Sequence, residues 1–230
     1  MIELALALII LSLALGGVLV PLNAQVVHKQ WRDTEQGLHD VHDALLGYAV
    51  RNGRLPCPAS ATSYGEESPV NGGVCTHPYD GYVPAVSLGL HQLDAQGYAL
   101  DAWGNRLRYV VAKTNGSAFT TPGGIKNAGL ATLQSELQVC ASATGTTSSG
   151  CGSALALSST GINAPPALVY SVGKIASASS ADETANLDNN AVFISHTLTT
   201  LAATTGAYDD VMIWLSPNIL YGQLVNAGLF

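Results

Sequence analysis

Residues 4–20 have no polar face: the run is Ala, Leu, Ile, Val and Gly interrupted only by Ser12, and Glu3 places one carboxylate directly before it. As a helix such a stretch rises roughly 25 Å, close to the hydrocarbon thickness of a bilayer. A cleavable secretory signal opens with Lys or Arg and closes on a small-residue cleavage site, so this segment predicts a retained transmembrane anchor. A helical period then takes over. Val27, Trp31, Leu38, Val41, Leu45 and Tyr48 recur at spacings of three, four and seven, one apolar stripe of a long helix. The opposite face carries His28, Lys29, Arg32, Asp33, Glu35, Asp40 and Asp43, as a solvated or subunit-facing side requires. Gly53 can supply a left-handed cap and Pro56 forbids resumption, so the helix is predicted to end near residues 51–53. Gly16, Gly17 and Pro21 are its weak points, and a kink or melted turn is expected there.

From Leu55 the pattern changes to turn chemistry: Pro56-Cys57-Pro58, Asn71-Gly72-Gly73 and Pro78 predict a loop region of about thirty residues. Beyond it, residues 106–112, 167–172, 191–196 and 211–215 are short β-rich runs bounded by Gly, Asn, Asp or Pro, expected to form an antiparallel sheet. Residues 114–166 are rich in Gly, Ser, Thr and Ala, with a short helix expected over 129–139. The predicted fold class is α+β, a long N-terminal helix packed on an antiparallel β-sheet head with long loops. Residues 1–24 form the hydrophobic helix, 25–53 the amphipathic stalk and 54–230 one globular head.

Charge narrows the partners. Only 11% of the 230 residues are charged, the net charge is −7, and the Lys and Arg residues are scattered, which argues against nucleic acid as a main partner. Four cysteines in an exported head favour two disulfides over thiols or metal ligands. Three pairings are open; sequence proximity and the Gly/Pro-rich loops between them favour Cys57–Cys75 and Cys140–Cys151, each removing roughly 3 kcal/mol of unfolded-chain entropy. The absence of C-x-x-C argues against zinc, and ligand spacing argues against a metal on Cys75 and His77.

The N-terminal I-E-L-A-L-A-L-I-I-L-S-L-A-L-G-G-V-L-V-P resembles the class III signal and anchor of type IV pilins and type II secretion pseudopilins. The head is similar to a pilin-like group in L-P-C-P-A at residues 55–59, D-A-W-G-N-R-L-R-Y at 101–109 and Y-D-D-V-M-I-W-L-S at 208–216. The resemblance implies a stalk helix packed on an antiparallel sheet, prepilin processing with N-methylation, and no catalytic residues. In the family the processed chain starts Phe-Thr-Leu-like, so Glu3 lies two residues nearer the terminus than expected; a start upstream of Met1, with a basic leader ending in Gly, is the expectation. A carboxylate at this position favours the positive end of a helix and can meet the terminal ammonium of an adjacent subunit, fixing axial register. The alternative is an interfacial acid seated among headgroups.

Three candidate chemistries lie in the head. Ser171-Val172-Gly173-Lys174 spells S-x-x-K, but Ser171 ends a β run rather than opening a helix and no S-D-N partner exists, against an acyl transferase. Ser195 and His196 are neighbours on an expected strand and face opposite ways, so they form no triad contact. Asp182, Glu183, Asn186, Asp188, Asp209 and Asp210 offer hard oxygen donors suited to Ca²⁺. They resemble the calcium loop of major pseudopilins, where an S-x-G turn precedes an acidic loop, although that loop's glycines are missing; turn-capping by Asp and Asn is the open alternative. Trp103 is expected to pack on a tight turn, and Asn115-Gly116-Ser117 matches a glycosylation sequon.

The expected function is structural rather than enzymatic, with no cofactor required and a Ca²⁺ ion at that loop as the one candidate. The partners expected are copies of the chain in a helical filament, other pilin-like subunits, inner-membrane assembly machinery, and the lipid bilayer before assembly. Such a subunit starts as a single-pass protein of the bacterial inner membrane and ends in an extracellular or periplasmic filament. The alternatives are a type II secretion pseudopilin or minor tip pilin and, from another class, a single-pass membrane-anchored periplasmic binding or enzymatic domain.

Overall fold

The computed structural model describes residues 2–199 and 206–229, with the side chains of residues 2 and 4–24 outside that description. In chain order the elements are α1 (Ile2–Asn52), β1 (Gly81–Tyr82), α2 (Ala85–Leu88), β2 (Arg108–Val111), α3 (Thr114–Ser117), α4 (Gly124–Ala128), β3 (Gln138–Cys140), β4 (Ala167–Ser171), α5 (Ala181–Ala185), β5 (Val192–Ile194), β6 (Val211–Trp214) and α6 (Pro217–Asn226). The class is α+β, an antiparallel sheet with a long helix at the N-terminus.

α1 is 51 residues long, roughly 77 Å at the helical rise. It runs through Gly16, Gly17 and Pro21 as one element, so the melted turn expected there does not divide it. A proline removes one bond from the ladder, and the helix continues on both sides of it. The side chains of the membrane span expected over residues 4–20 lie outside the described ones; among the described residues no helix is long and apolar enough to cross a membrane. At the other end Gly53 takes φ +66° and its N–H donates to Ala49 O at 2.8 Å, the left-handed stop read from the sequence. Of the stripe, Leu38, Val41, Leu45 and Tyr48 are buried, Trp31 is half-buried and Val27 is exposed. All seven polar positions are exposed, and Glu35, one turn after Trp31, lies beside the stripe rather than opposite it.

The main sheet has the order β1-β2-β4-β6, every pair antiparallel. α1 packs on β4 and β6 and touches α2 and α6, so its C-terminal half covers one face of the sheet. Between the layers lies the core of Leu38, Val41, Leu45, Tyr109, Val111, Leu168, Tyr170 and Leu220. One expected strand goes elsewhere. Residues 191–196 supply β5, which pairs in parallel with β3 rather than joining the antiparallel sheet. β3 occupies the end of the segment expected to be a helix over 129–139; the short helix is α4, and Gly129 at φ +76° stops it. The fourth place in the main sheet is taken by β1, two residues long and too short to carry a strand period.

Both disulfides expected from spacing are formed, Cys57–Cys75 and Cys140–Cys151. Cys75 is therefore closed to metal, and His77 meets Asp80 at 3.1 Å instead. Cys140–Cys151 anchors a second small core with Val192, Ile194 and Tyr208. Beside the first disulfide, Arg54 donates to both oxygens of Glu67, at 2.8 and 2.7 Å. Tyr48 Oη and Cys57 N–H donate to the same carboxylate at 2.9 and 3.1 Å. This knot fastens the end of α1 to the 57–75 loop.

Candidate functional site

The first feature with functional geometry is α1 itself. Two tryptophans mark where it meets the head: Trp31 and Trp103 stand edge to face, ring centroids 5.0 Å apart. The Trp103 turn is held from both sides, since Asp101 Oδ1 accepts from Trp103 N–H at 2.9 Å and Thr34 Oγ1 accepts from Ala102 N–H at 3.1 Å. Gly104, at φ +89°, completes the turn. N-terminal to these contacts, residues 25–29 are exposed. Glu3 lies exposed in the first turn of α1, where free backbone amides favour a negative charge.

The second feature is an acidic corner built by α5 and the segment leading into β6. α5 begins with Ser180-Ala181-Asp182-Glu183, a helix-start signature, and Ser180 Oγ accepts from Glu183 N–H at 3.2 Å. Glu183 then curls back: Oε2 accepts from Ser179 N–H at 2.6 Å and Ser179 Oγ at 2.8 Å, and Oε1 accepts from Asp209 N–H at 3.2 Å. That last bond draws the α5 carboxylate to Asp209 and Asp210. Ligand oxygens of Glu183, Asp209 and Asp210 lie within 4.8 Å of one another.

Of the six residues expected to gather around a cation, three do not join. Asp182 points the other way, accepting from Ala143 N–H at 2.6 Å and facing His196 Nε2 at 3.1 Å. Asp188 is exposed and folds onto Asn190 in a local turn. Asn186 is fully used as a strand cap: its Oδ1 accepts from Ile194 N–H at 2.6 Å, and its Nδ2 donates to Ile194 O at 3.0 Å and to Asp210 Oδ2 at 2.7 Å. Proximity in sequence put these six together, whereas α5 sends successive side chains to different neighbours.

The trio's electrostatics follow from burial. Desolvation pushes the Asp210 carboxyl up to about 7; the Asn186 amide opposes the shift, and the charges of Glu183 and Asp209 reinforce it. Asp209 is also raised, first by burial and then by Glu183, against the backbone N–H groups of Ile175 and Lys174 that donate to its Oδ2. Its Oδ1 is the one buried side-chain polar atom among the described residues with no partner. Gly173 makes room for it, since a Cβ there would collide with the Asp209 carboxylate. A proton or a cation is what this corner lacks. Calcium takes six to eight oxygens, and most oxygens of the trio are already committed, so a bound ion would complete its shell with water.

The remaining candidates are structural. Ser171 is fully buried at the end of β4, donates to Asp101 Oδ2 at 2.6 Å and accepts from Gly173 N–H, while Lys174 is exposed. That leaves S-x-x-K without a free nucleophile. His196 turns to Asp182 and stacks on Tyr208, centroids 3.9 Å apart, and no bond joins it to Ser195. Asn115 is exposed at φ +53°, and its Oδ1 accepts from Gln134 N–H. The Arg54–Glu67 pair carries no sequence signal of its own, because its partners lie thirteen residues apart across a loop.

No known protein family, curated protein or solved structure matches the chain at a significant level.

Proposed function

We propose that the chain is a structural subunit of a type IV pilus-like filament, held in the bacterial inner membrane by residues 1–24 before assembly and packed through α1 afterwards. The division of α1 is the observation that supports this reading best. Its C-terminal half is bound into the head by Leu38, Val41, Leu45 and the Tyr48 knot, while residues 25–29 remain exposed on a helix that continues far beyond the head. A helix of this length gains little from its own backbone and is stabilised by packing, so its projecting part calls for neighbours. Lipid supplies them before assembly and the α1 helices of copies afterwards. In that bundle Glu3 answers the terminal ammonium of an adjacent subunit.

A pseudopilin or minor tip subunit uses the same device at lower copy number. A membrane-anchored binding or enzymatic domain would need α1 only as a tether. Glu3→Ala separates them: expressed in its own host, the variant remains in the membrane fraction and electron microscopy finds filaments lost or at least ten-fold fewer. Normal filament numbers with the variant incorporated would overturn the assembly role. A Ca²⁺ ion at Glu183, Asp209 and Asp210 is a second reading for the head, favoured by the partnerless Asp209 oxygen.

A further inference from the structure

A groove of about 450 Å³ separates the flank of α1 from the ends of β5 and β6. Trp31 and Glu35, four residues apart on one helix face, form one wall, and residues 195–198 form the other. Asp210, Val211 and Met212 make the floor, and among the described residues no Lys or Arg lines the space.

Asp210 is only 7% exposed and gives one oxygen, Oδ2, to the Asn186 amide. No other described group donates to it. Asp210 is one of the residues lining this groove, and its second oxygen, Oδ1, accepts no hydrogen bond among the described residues. Glu35, exposed on the α1 wall, accepts no hydrogen bond either among the described residues. His196 does not compete for them: one ring nitrogen faces Thr197 O at 2.7 Å and the other Asp182 Oδ2 at 3.1 Å.

We infer that the groove binds an alkylammonium group, its charge between Asp210 and Glu35 and its methylene stem along Trp31 and Met212. The chemistry of the walls selects this ligand. A hard divalent ion wants six or more oxygens and gains nothing from an indole or a thioether, whereas an ammonium is attracted to an aromatic face. A guanidinium is held best by both oxygens of one carboxylate; Asp210 has only one to give and a fork on Glu35 would leave it out, so a compact charge with three rotatable donors fits the pair better. The group can come from a free polyamine or from a lysine side chain on a polypeptide. This site does not depend on filament assembly.

The test uses the full chain in detergent micelles with 5-fluorotryptophan, the Trp31 ¹⁹F resonance being identified by its loss in Trp31→Phe. Nα-acetyl-lysine methylamide, spermidine, Nα-acetyl-arginine methylamide and uncharged Nα-acetyl-norleucine methylamide are titrated in turn. The two amines shift the Trp31 resonance saturably, the arginine derivative binds more weakly, and the norleucine derivative does not bind. Tighter binding of spermidine identifies a free amine as the source, and tighter binding of the lysine derivative identifies a side chain. Asp210→Asn raises Kd about ten-fold and Glu35→Gln about three-fold. Glu35→Gln changes an exposed helix position and keeps the test available if Asp210→Asn folds poorly. No saturable shift with either amine, equal binding of the norleucine derivative, or an unchanged Kd in Glu35→Gln would overturn the assignment.

Discussion

Glu67 and Asp210 are both more than nine-tenths buried, yet one is surrounded by donors and the other by carboxylates. Burial alone would raise Glu67, but the Arg54 fork, with the Cys57 amide and the Tyr48 hydroxyl, holds its carboxyl below the usual range. Tyr48 responds in the opposite sense, pushed up to about 12 by burial and by the neighbouring carboxylate. Asp210 receives one amide, from Asn186, and stands beside Glu183 and Asp209. Fixed partners let a buried charge stabilise a junction. A crowd of like charges leaves a site whose ionisation depends on its surroundings.

The largest expected effect lies on the satisfied side. Glu67→Gln leaves Arg54 buried without its counter-charge and costs about 3–5 kcal/mol, read as a lower urea midpoint at unchanged slope. An effect below about 1 kcal/mol would remove the distinction between the two sites.

The acidic corner should show itself in pH dependence, and the sign differs between the sites. Asp210 has its carboxyl raised from 3.8 to about 7 in the folded chain, so between those values the folded state binds more protons than the unfolded state. Stability therefore falls as pH rises through that window and levels off above it, by about 4 kcal/mol at the outside. Glu67, being lowered, contributes stability above the unfolded carboxylate range that is lost only as pH falls through its depressed value. Asp210→Asn should flatten the slope between pH 4 and 7 and leave the acid limb intact. Thermal melts across that range check it, and an unchanged slope in the variant would place the titration elsewhere.

The smallest effect expected is that of calcium. With few uncommitted oxygens, Glu183, Asp209 and Asp210 make a weak site, and millimolar Ca²⁺ at pH 8 should stabilise the chain by about 1 kcal/mol. Asp210→Asn should abolish that gain. Identical melts in Ca²⁺ and in EGTA would leave the corner to its proton.

What could be read beforehand divides along a physical line. α1, its stop at Gly53 and its buried face from Leu38 to Tyr48 follow from a helical period repeated over many residues. β2, β4 and β6 follow from β-branched and aromatic runs bounded by turn residues, and the disulfides from short separations across loops. β1 and β3, two and three residues long, have no room for a period and owe their state to tertiary pairing. The parallel partnership of β3 with β5 is set by packing around Cys140–Cys151, which periodicity cannot encode. α6 was legible in principle, since Ser216-Pro217 is a helix-start signature ahead of Leu220 and Leu224, both buried, but a strand-centred reading of that segment passes it by. At the acidic corner residue type was readable and direction was not. Asp182 and Glu183 are neighbours in one turn of α5 that serve different partners, and Asn186 is spent on Ile194.

The knot at the end of α1 also sets how the head would carry a mechanical load. Of a tension entering along α1, the share that passes the Trp31 contacts and the packed stripe reaches Tyr48 and Arg54, and both hand it to the carboxylate of Glu67. The two Arg54 bonds run side by side to that carboxylate, so they share the pull rather than yielding in succession. From Glu67 the path continues through the Cys57 amide into a loop that Cys57–Cys75 closes covalently, and through its own N–H to the Ser87 hydroxyl in α2. That share of the strain ends in a cross-linked loop, in parallel with the share that α1 passes directly to β4 and β6 by packing, and the strands are relieved of part of the pull on the stem.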